Sequence, residues 1–238
     1  MKVAVISDIH GFSLALRTVL ADIDEEPDID LIVAAGDLCE GGPDPVGVLQ
    51  RLQERGITAV RGNTDRDLVQ GVRSSERATW VSRQLGDDGV AFLAALPFDR
   101  RVRPPGGNSP ADDLLVVHAN PFDEDRQIPP SATDDEIRSL LGDTGAAVIA
   151  FGHIHIAYQR LIDDIQLIDV SAVGNPKDGD LRSKWGLCTW HEDRAAWTTE
   201  LRYVAYPLAD TLLQMEASGM PSWTGAAAKL QRASYRES

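Results

Sequence analysis

Seven side chains of the kinds that bind metal ions stand directly behind apolar runs: Asp8 and His10 behind residues 1–6, Asp37 behind 31–35, Asn63 behind 57–60, His118 behind 114–117, and His153 and His155 behind 147–151. Taken singly, each has an ordinary explanation. An Asp after a strand caps a helix or forms a turn, Gly36-Asp37 and Gly62-Asn63 read as turns, and a lone His118 fits a hydrogen-bonded core. Gly152-His153-Ile154-His155 is the one block that stands out by itself, because two imidazoles two residues apart reach one site when the backbone bends. Together the blocks make coincidence a poor account: four of the five histidines sit at strand ends, interleaved with carboxylates and an amide. Seven donors exceed what one tetrahedral ion takes. Two ions fit them if a carboxylate bridges, and Asp37 shared between both gives each about four protein ligands. Asp8 and Asp37 set −2 against the +4 of two dications. The resulting positive field draws in a phosphate anion and lowers the pKa of a water between the ions.

For these groups to meet, the strands behind which they stand must end on one rim, as the carboxyl ends of strands do in open α/β sheets. The patterning predicts that arrangement. Residues 1–60 alternate buried strands (1–6, 31–35, 57–60) with amphipathic helices. Ser13 is expected to cap the first helix, and Asp44-Pro45 opens the second, which stops at Gly56. This βαβαβ order predicts parallel strands with right-handed crossovers. One or two helices are expected within 67–96, broken near residues 86–89, followed by strands at 98–102 and 114–117. Thr133 and Glu136 form a capping box before a short helix. Strand 147–151 and the alternating runs 157–162, 166–170, 186–190 and 195–203 predict a mixed or antiparallel second sheet. Two helices close the chain, and their apolar residues Leu208, Leu212, Leu213 and Met215 read as core packing, a cleft cap or a homodimer contact. Residues 1–205 are expected to form one domain, with 206–238 a helical extension packed on it.

Composition narrows the function. A net charge of −14 over 238 residues repels a phosphate backbone, which argues against a nucleic-acid polymer as partner. Cys39 and Cys188 are too few for a disulfide framework. No apolar run is long enough for a bilayer or a signal-peptide core, so a cytoplasmic protein without a membrane partner is expected.

With its motifs in the order Asp8-Ile9-His10, Gly36-Asp37, Gly62-Asn63, His118 and Gly152-His153-Ile154-His155, the chain resembles the calcineurin-like metallophosphoesterases, in particular their small bacterial and archaeal predicted phosphodiesterases. Residues 42–45, 171–180 and 206–221 look like further family segments. The resemblance implies a four-layer αββα sandwich with two mixed sheets. It implies one metal held by Asp8, His10, Asp37 and His155, and a second held by Asp37, Asn63, His118 and His153. Two divalent ions, manganese first among Mn, Fe, Zn, Ni and Co, are the implied cofactors. The implied activity is hydrolysis of a small phosphate ester, diester ahead of monoester, by attack on phosphorus of hydroxide held between the ions. Asp37, Asn63 and His118 are accordingly the catalytic candidates. A catalytically silent metal-binding scaffold and a nuclease are the alternatives.

The sequence departs from the family at Thr64, where many relatives have a His credited with protonating the leaving group. Threonine cannot do this near pH 7, so either good leaving groups are favoured or metal-bound water supplies the proton. Asp65 is read as orienting its neighbours. Arg61, Lys177 and Arg182 are candidate substrate contacts, with Arg66 a further one, while Cys39 and His191 are read as structural.

Overall fold

The computed structural model describes residues 1–72 and 75–234. The chain opens with β1 (Lys2–Ile6), α1 (Ser13–Glu25), β2 (Leu31–Ala34), α2 (Pro45–Glu54) and β3 (Thr58–Ala59). Helices α3 (Asn63–Gln70) and α4 (Glu76–Ala94) follow, then β4 (Asp99–Val102), β5 (Leu114–Val117), α5 (Asp134–Leu141), β6 (Val148–Phe151), β7 (Tyr158–Ile162) and β8 (Ile165–Asp169). A long hairpin, β9 (Ser183–His191) and β10 (Ala196–Val204), leads into α6 (Leu208–Ala217) and α7 (Trp223–Arg232).

The strands form two mixed five-stranded sheets, ordered β10-β9-β1-β2-β3 and β4-β5-β6-β8-β7. As the βαβαβ pattern requires, β1, β2 and β3 run parallel. In the second sheet β5, β6 and β8 are parallel. The hairpin β9–β10 differs from expectation. It joins the first sheet antiparallel to β1 rather than extending the second. An alternating pattern reports that a strand has two kinds of face but not which sheet it pairs with.

Strands buried on both faces explain the near-continuous apolar runs. Val3 and Val5 point between the sheets with Leu114 and Val116, while Ala4 and Ile6 point the other way, into the layer of α1 and α2. Leu115 and Val117 face outward onto α5 residues Ile137, Leu140 and Leu141. This period-two partition gives the α-β-β-α order of layers. The closing helices contribute Met215 and Leu230 to the same apolar layer as α1. Leu208 and Leu212 pack partly against it, whereas Leu213 is exposed.

Two helix starts differ from the sequence reading. Ser13 is the first residue of α1 rather than its cap, and its hydroxyl donates to Asp44 Oδ2 at 2.5 Å. Helix α3 begins at Asn63, four residues before the expected 67, because Asp65 accepts from the Gly62 N–H in a capping-box arrangement. Asp44 caps α2 by accepting from Gly47 N–H, and the break expected near 86–89 is a kink at Gly86, φ +62°.

Candidate metal centre

The carboxyl ends of β1, β2, β3, β5 and β6 bring all seven donors to one rim. The local backbone is bent to do so: Asp8, His10, Asp37, His153 and His155 all have φ between +50° and +73°. Such left-handed values are uncommon outside glycine and cluster where the surroundings hold side chains in functional positions. The bend is what turns both members of the Asp8/His10 and His153/His155 pairs toward the same point. Two glycines make room. A Cβ at Gly62 would lie 2.2 Å from Asp37 Oδ1, and one at Gly152 would lie 2.2 Å from Asp8 Oδ2.

Every histidine of the cluster has one ring nitrogen against a backbone carbonyl: His10 Nδ1 against Glu40 at 2.6 Å, His118 Nδ1 against Ala35 at 2.8 Å, His153 Nε2 against Asp125 at 3.0 Å and His155 Nδ1 against Asn175 at 2.5 Å. A carbonyl only accepts, so that nitrogen carries the proton and, in the neutral ring, the other presents a lone pair. Those other nitrogens face one another or another acceptor. His10 Nε2 is 3.1 Å from His155 Nε2, and His118 Nε2 is 3.1 Å from His153 Nδ1 and 3.0 Å from Asn63 Oδ1. Asp8 Oδ1, wholly buried and accepting no hydrogen bond, lies 3.1 Å from His155 Nε2. Converging lone pairs repel unless a proton or a cation sits among them. Donors at these spacings suit a shared ion about 2.1 Å from each nitrogen.

The donors fall into two groups. Asp8, His10 and His155 form one and Asp8, Asp37 and His118 the other, with His153 and Asn63 beside His118. Asp37 faces both, with Oδ2 3.6 Å from His10 Nε2 and Oδ1 3.5 Å from His118 Nε2. Oxygen and imidazole donors with two buried carboxylates are chemically suited to divalent transition ions.

The electrostatics favour positive charge here. Burial opposes a charged His10, but the carboxylates of Asp8 and Asp37 outweigh it and lift its pKa to about 9. For Asp8, burial raises the pKa, yet His155, His10 and His118 together hold it well below the usual carboxylate range. Asp37 and Asp8 likewise raise His118 against its burial, while burial and the neighbouring His118 lower His153. Protons therefore compete with metal below about pH 9. Loading at pH 7 is expected to expel about one proton from His10, and apparent affinity to rise with pH toward 9. Manganese titration calorimetry in buffers of different ionisation enthalpy measures the release, and zero protons expelled contradicts this assignment.

Asp65, 1% exposed, supports the centre from beneath. Its carboxylate accepts from the backbone N–H groups of Gly62, Asp37 and Leu38 at 2.8–3.0 Å, tying the Asn63 loop to the Asp37 loop. Burial and the charge of Asp37 push its pKa up to about 7 against the pull of these donors. Thr64 N–H donates to Asp37 Oδ1 at 2.9 Å, and its hydroxyl is buried.

Of the candidate substrate contacts, Lys177 lines the cleft in front of the cluster, a cavity of about 420 Å³. Arg61 and Arg182 are placed otherwise. Arg61 Nε donates to the buried carboxylate of Glu124 at 2.8 Å, and Arg66 binds Glu124 and Asp125. Both arginines thereby brace the loop whose Asp125 carbonyl orients His153. Arg182 pairs with Asp180 and stacks over Tyr203 at 4.6 Å, outside the cleft. His191, partly exposed, is bonded to Thr198 Oγ1, and Cys39 is wholly buried beside Pro45. Arg77 and Lys229 also line the cleft, and the sequence reading did not single them out.

Residues 1–157, which contain all seven donors, match the family model for calcineurin-like phosphoesterases. With the sheet order and strand-end cluster described above, the chain belongs to the calcineurin-like phosphoesterase family. It is 39% identical over 91 residues to serine/threonine-protein phosphatase 1 of Salmonella typhimurium, covering 38% of this chain and 41% of that one. It is 31% identical over 157 residues to the symmetrical bis(5'-nucleosyl)-tetraphosphatase of Acidovorax sp., covering 62% and 52% respectively. The chain thus spans about half the length of these curated relatives or less. The crystal structure of a metallophosphoesterase from Sphaerobacter thermophilus superposes with a TM-score of 0.77 at 22% identity, over 98% of this chain and 99% of that one, a likeness of fold. No helix among the described residues is long and apolar enough to cross a membrane.

Proposed function

We propose that this protein is a binuclear metal-dependent phosphoesterase that hydrolyses phosphate esters, diesters ahead of monoesters. The observation that carries the reading is the histidine arrangement. Four rings set by backbone carbonyls turn their remaining nitrogens onto two carboxylates and an amide, a layout suited to cations and costly without positive charge. The relatives named as a protein phosphatase and a dinucleotide tetraphosphatase support phosphoryl chemistry.

In this reading Asp8, His10, Asp37 and His155 hold one ion, and Asp37, Asn63, His118 and His153 the other. Two dications bound there would supply charge to offset that on the phosphoryl oxygens and would lower the pKa of water toward neutral pH. The chain's own part is positioning. The carbonyls of Glu40, Ala35, Asp125 and Asn175 fix each imidazole, and the Thr64 N–H holds Asp37 Oδ1, which the missing side chain of Gly62 leaves room for. Thr64 itself offers no proton to a leaving group, which favours esters whose leaving groups need none.

Hydrolysis of bis(p-nitrophenyl) phosphate is expected to appear on adding Mn²⁺ and to disappear with chelator, and to exceed that of p-nitrophenyl phosphate in kcat/KM. A chain that binds manganese yet stays inert toward both esters is a scaffold, and this reading fails.

A further inference from the structure

Lys184, the second residue of β9, is wholly buried, although an ammonium is among the costliest groups to take out of water. Its Nζ donates to Asp178 Oδ1 at 2.8 Å and to the Asp180 carbonyl at 2.6 Å, both in the loop that joins β8 to β9. A buried ion pair is often no better for stability than apolar side chains of similar volume, which carry no such desolvation cost. What the ammonium adds is direction. It fixes where one carboxylate and one carbonyl stand, and both belong to a loop that runs along the metal centre.

That loop grips the group of Asp8, His10 and His155 from two sides. At its start, Val173 N–H donates to the Ser7 carbonyl at 2.9 Å and Gly174 N–H to the Asp8 carbonyl at 3.0 Å. Further on, the Asn175 carbonyl accepts from His155 Nδ1, and Lys177 N–H donates to the His155 carbonyl at 2.9 Å. Asp178 Oδ2 accepts from Ala157 N–H at 3.3 Å. One carboxylate thus links Lys184 to the backbone two residues beyond His155, whose left-handed φ of +57° persists only where the surroundings hold it. His118 and His153 are supported elsewhere. The Ala35 carbonyl sets the first, and the Asp125 carbonyl, in the loop braced by Arg61 and Arg66, sets the second.

We infer that Lys184 is a positioning residue for one ion of the pair: through Asp178 it holds the loop whose Asn175 carbonyl sets the His155 ring, and so governs affinity on the His155 side of the centre and not on the His153 side. The inference rests on the two-ion reading and adds that the two sides are braced independently, one by Lys184 with Asp178, the other by Arg61 and Arg66 with Glu124. Lys184 does not line the cleft and acts through other groups alone.

The test is manganese binding by equilibrium dialysis and elemental analysis, in two backgrounds of the full chain that each keep one side: His153→Ala, which leaves the His155 ion, and His155→Ala, which leaves the other. In the His153→Ala background, Lys184→Met and Asp178→Ala are each expected to weaken manganese binding about tenfold, the lower end of the range for groups that orient ligands. Their combination is expected to lose little more, because the two act through one another. In the His155→Ala background both are expected to leave the affinity unchanged, whereas a general loosening of the fold weakens both backgrounds. Far-ultraviolet circular dichroism checks that each variant is folded, and Asp178→Ala, in the loop rather than the strand, carries the test if Lys184→Met does not fold. Equal losses in the two backgrounds, or no loss in either, overturn the role of Lys184. The two-ion reading is judged separately, from wild type. One ion per chain refutes that reading, and Lys184→Met is then expected to weaken the ion if His155→Ala removes it and to spare it if His153→Ala alone does; the reverse pattern overturns the Lys184 role. Wild type that binds no manganese overturns both.

Discussion

Asp37→Ala is expected to strip both ions from the chain and to lower kcat/KM toward bis(p-nitrophenyl) phosphate by at least about 10³-fold, since charge offset by the metals is the largest contribution the site can make. The reason is the place of this one carboxylate, whose two oxygens address the His10 and the His118 groups at nearly equal distances. Removing it takes a donor from each side and half of the formal negative charge supplied by Asp8 and Asp37. The effect on folding is smaller. Asp37 Oδ1 accepts the Thr64 N–H, and leaving that donor unpartnered costs about 1–3 kcal/mol, against a stability of order 5–15 kcal/mol. Asp37→Asn separates the two effects, because it retains an acceptor for Thr64 while removing the charge. Elemental analysis of dialysed, manganese-loaded protein reads the result directly. Two ions per chain in Asp37→Ala would refute the bridging role, and His191→Ala, remote from the cluster, is expected to keep both.

How much of this was legible before the structure depends on the kind of information each feature carries. Strand ends were legible because a doubly buried parallel strand is a short apolar run stopped by polar residues, and in an α/β sheet the stops share a rim. Asp8, His10, Asp37, Asn63, His118, His153 and His155 therefore converge as the pattern implied. Sheet membership of β9 and β10 was not legible, because pairing with β1 is decided by long-range packing that alternation does not encode. Neighbourhood in sequence also misdirects. Arg61 stands two residues from Asn63, yet its guanidinium binds Glu124, where it braces a loop and does not line the cleft. Conversely, Arg77 and Lys229 are separated by most of the chain and come together only through the packing of α7 against the α1 layer. No local signal marks them.

Asp65 is the case where a local signal existed and its full role needed the structure. Gly62-Asn63-Thr64-Asp65 has the spacing of a capping box, but the same carboxylate also receives N–H groups from Asp37 and Leu38 on the neighbouring strand end. Asp65→Ala is accordingly expected to be among the most damaging substitutions in the protein. Three buried N–H groups lose their acceptor, at about 1–3 kcal/mol each, so a stability loss of about 3 kcal/mol or more is expected, with a matching fall in melting temperature. The Asn63 and Asp37 loops are no longer tied, so metal affinity is expected to fall about tenfold or more, the range found for groups that orient ligands. Asp65→Asn distinguishes orientation from charge. Its single amide oxygen cannot receive three donors, and its NH₂ group faces at least one of them, so the variant is expected to fold with intermediate stability and weakened metal binding. Urea unfolding followed by manganese titration of the folded variants measures both. Full metal affinity in Asp65→Ala would show that the two loops keep their geometry without this carboxylate. The positioning role would then belong instead to the left-handed backbone at Asp37 and the close approach of Gly62.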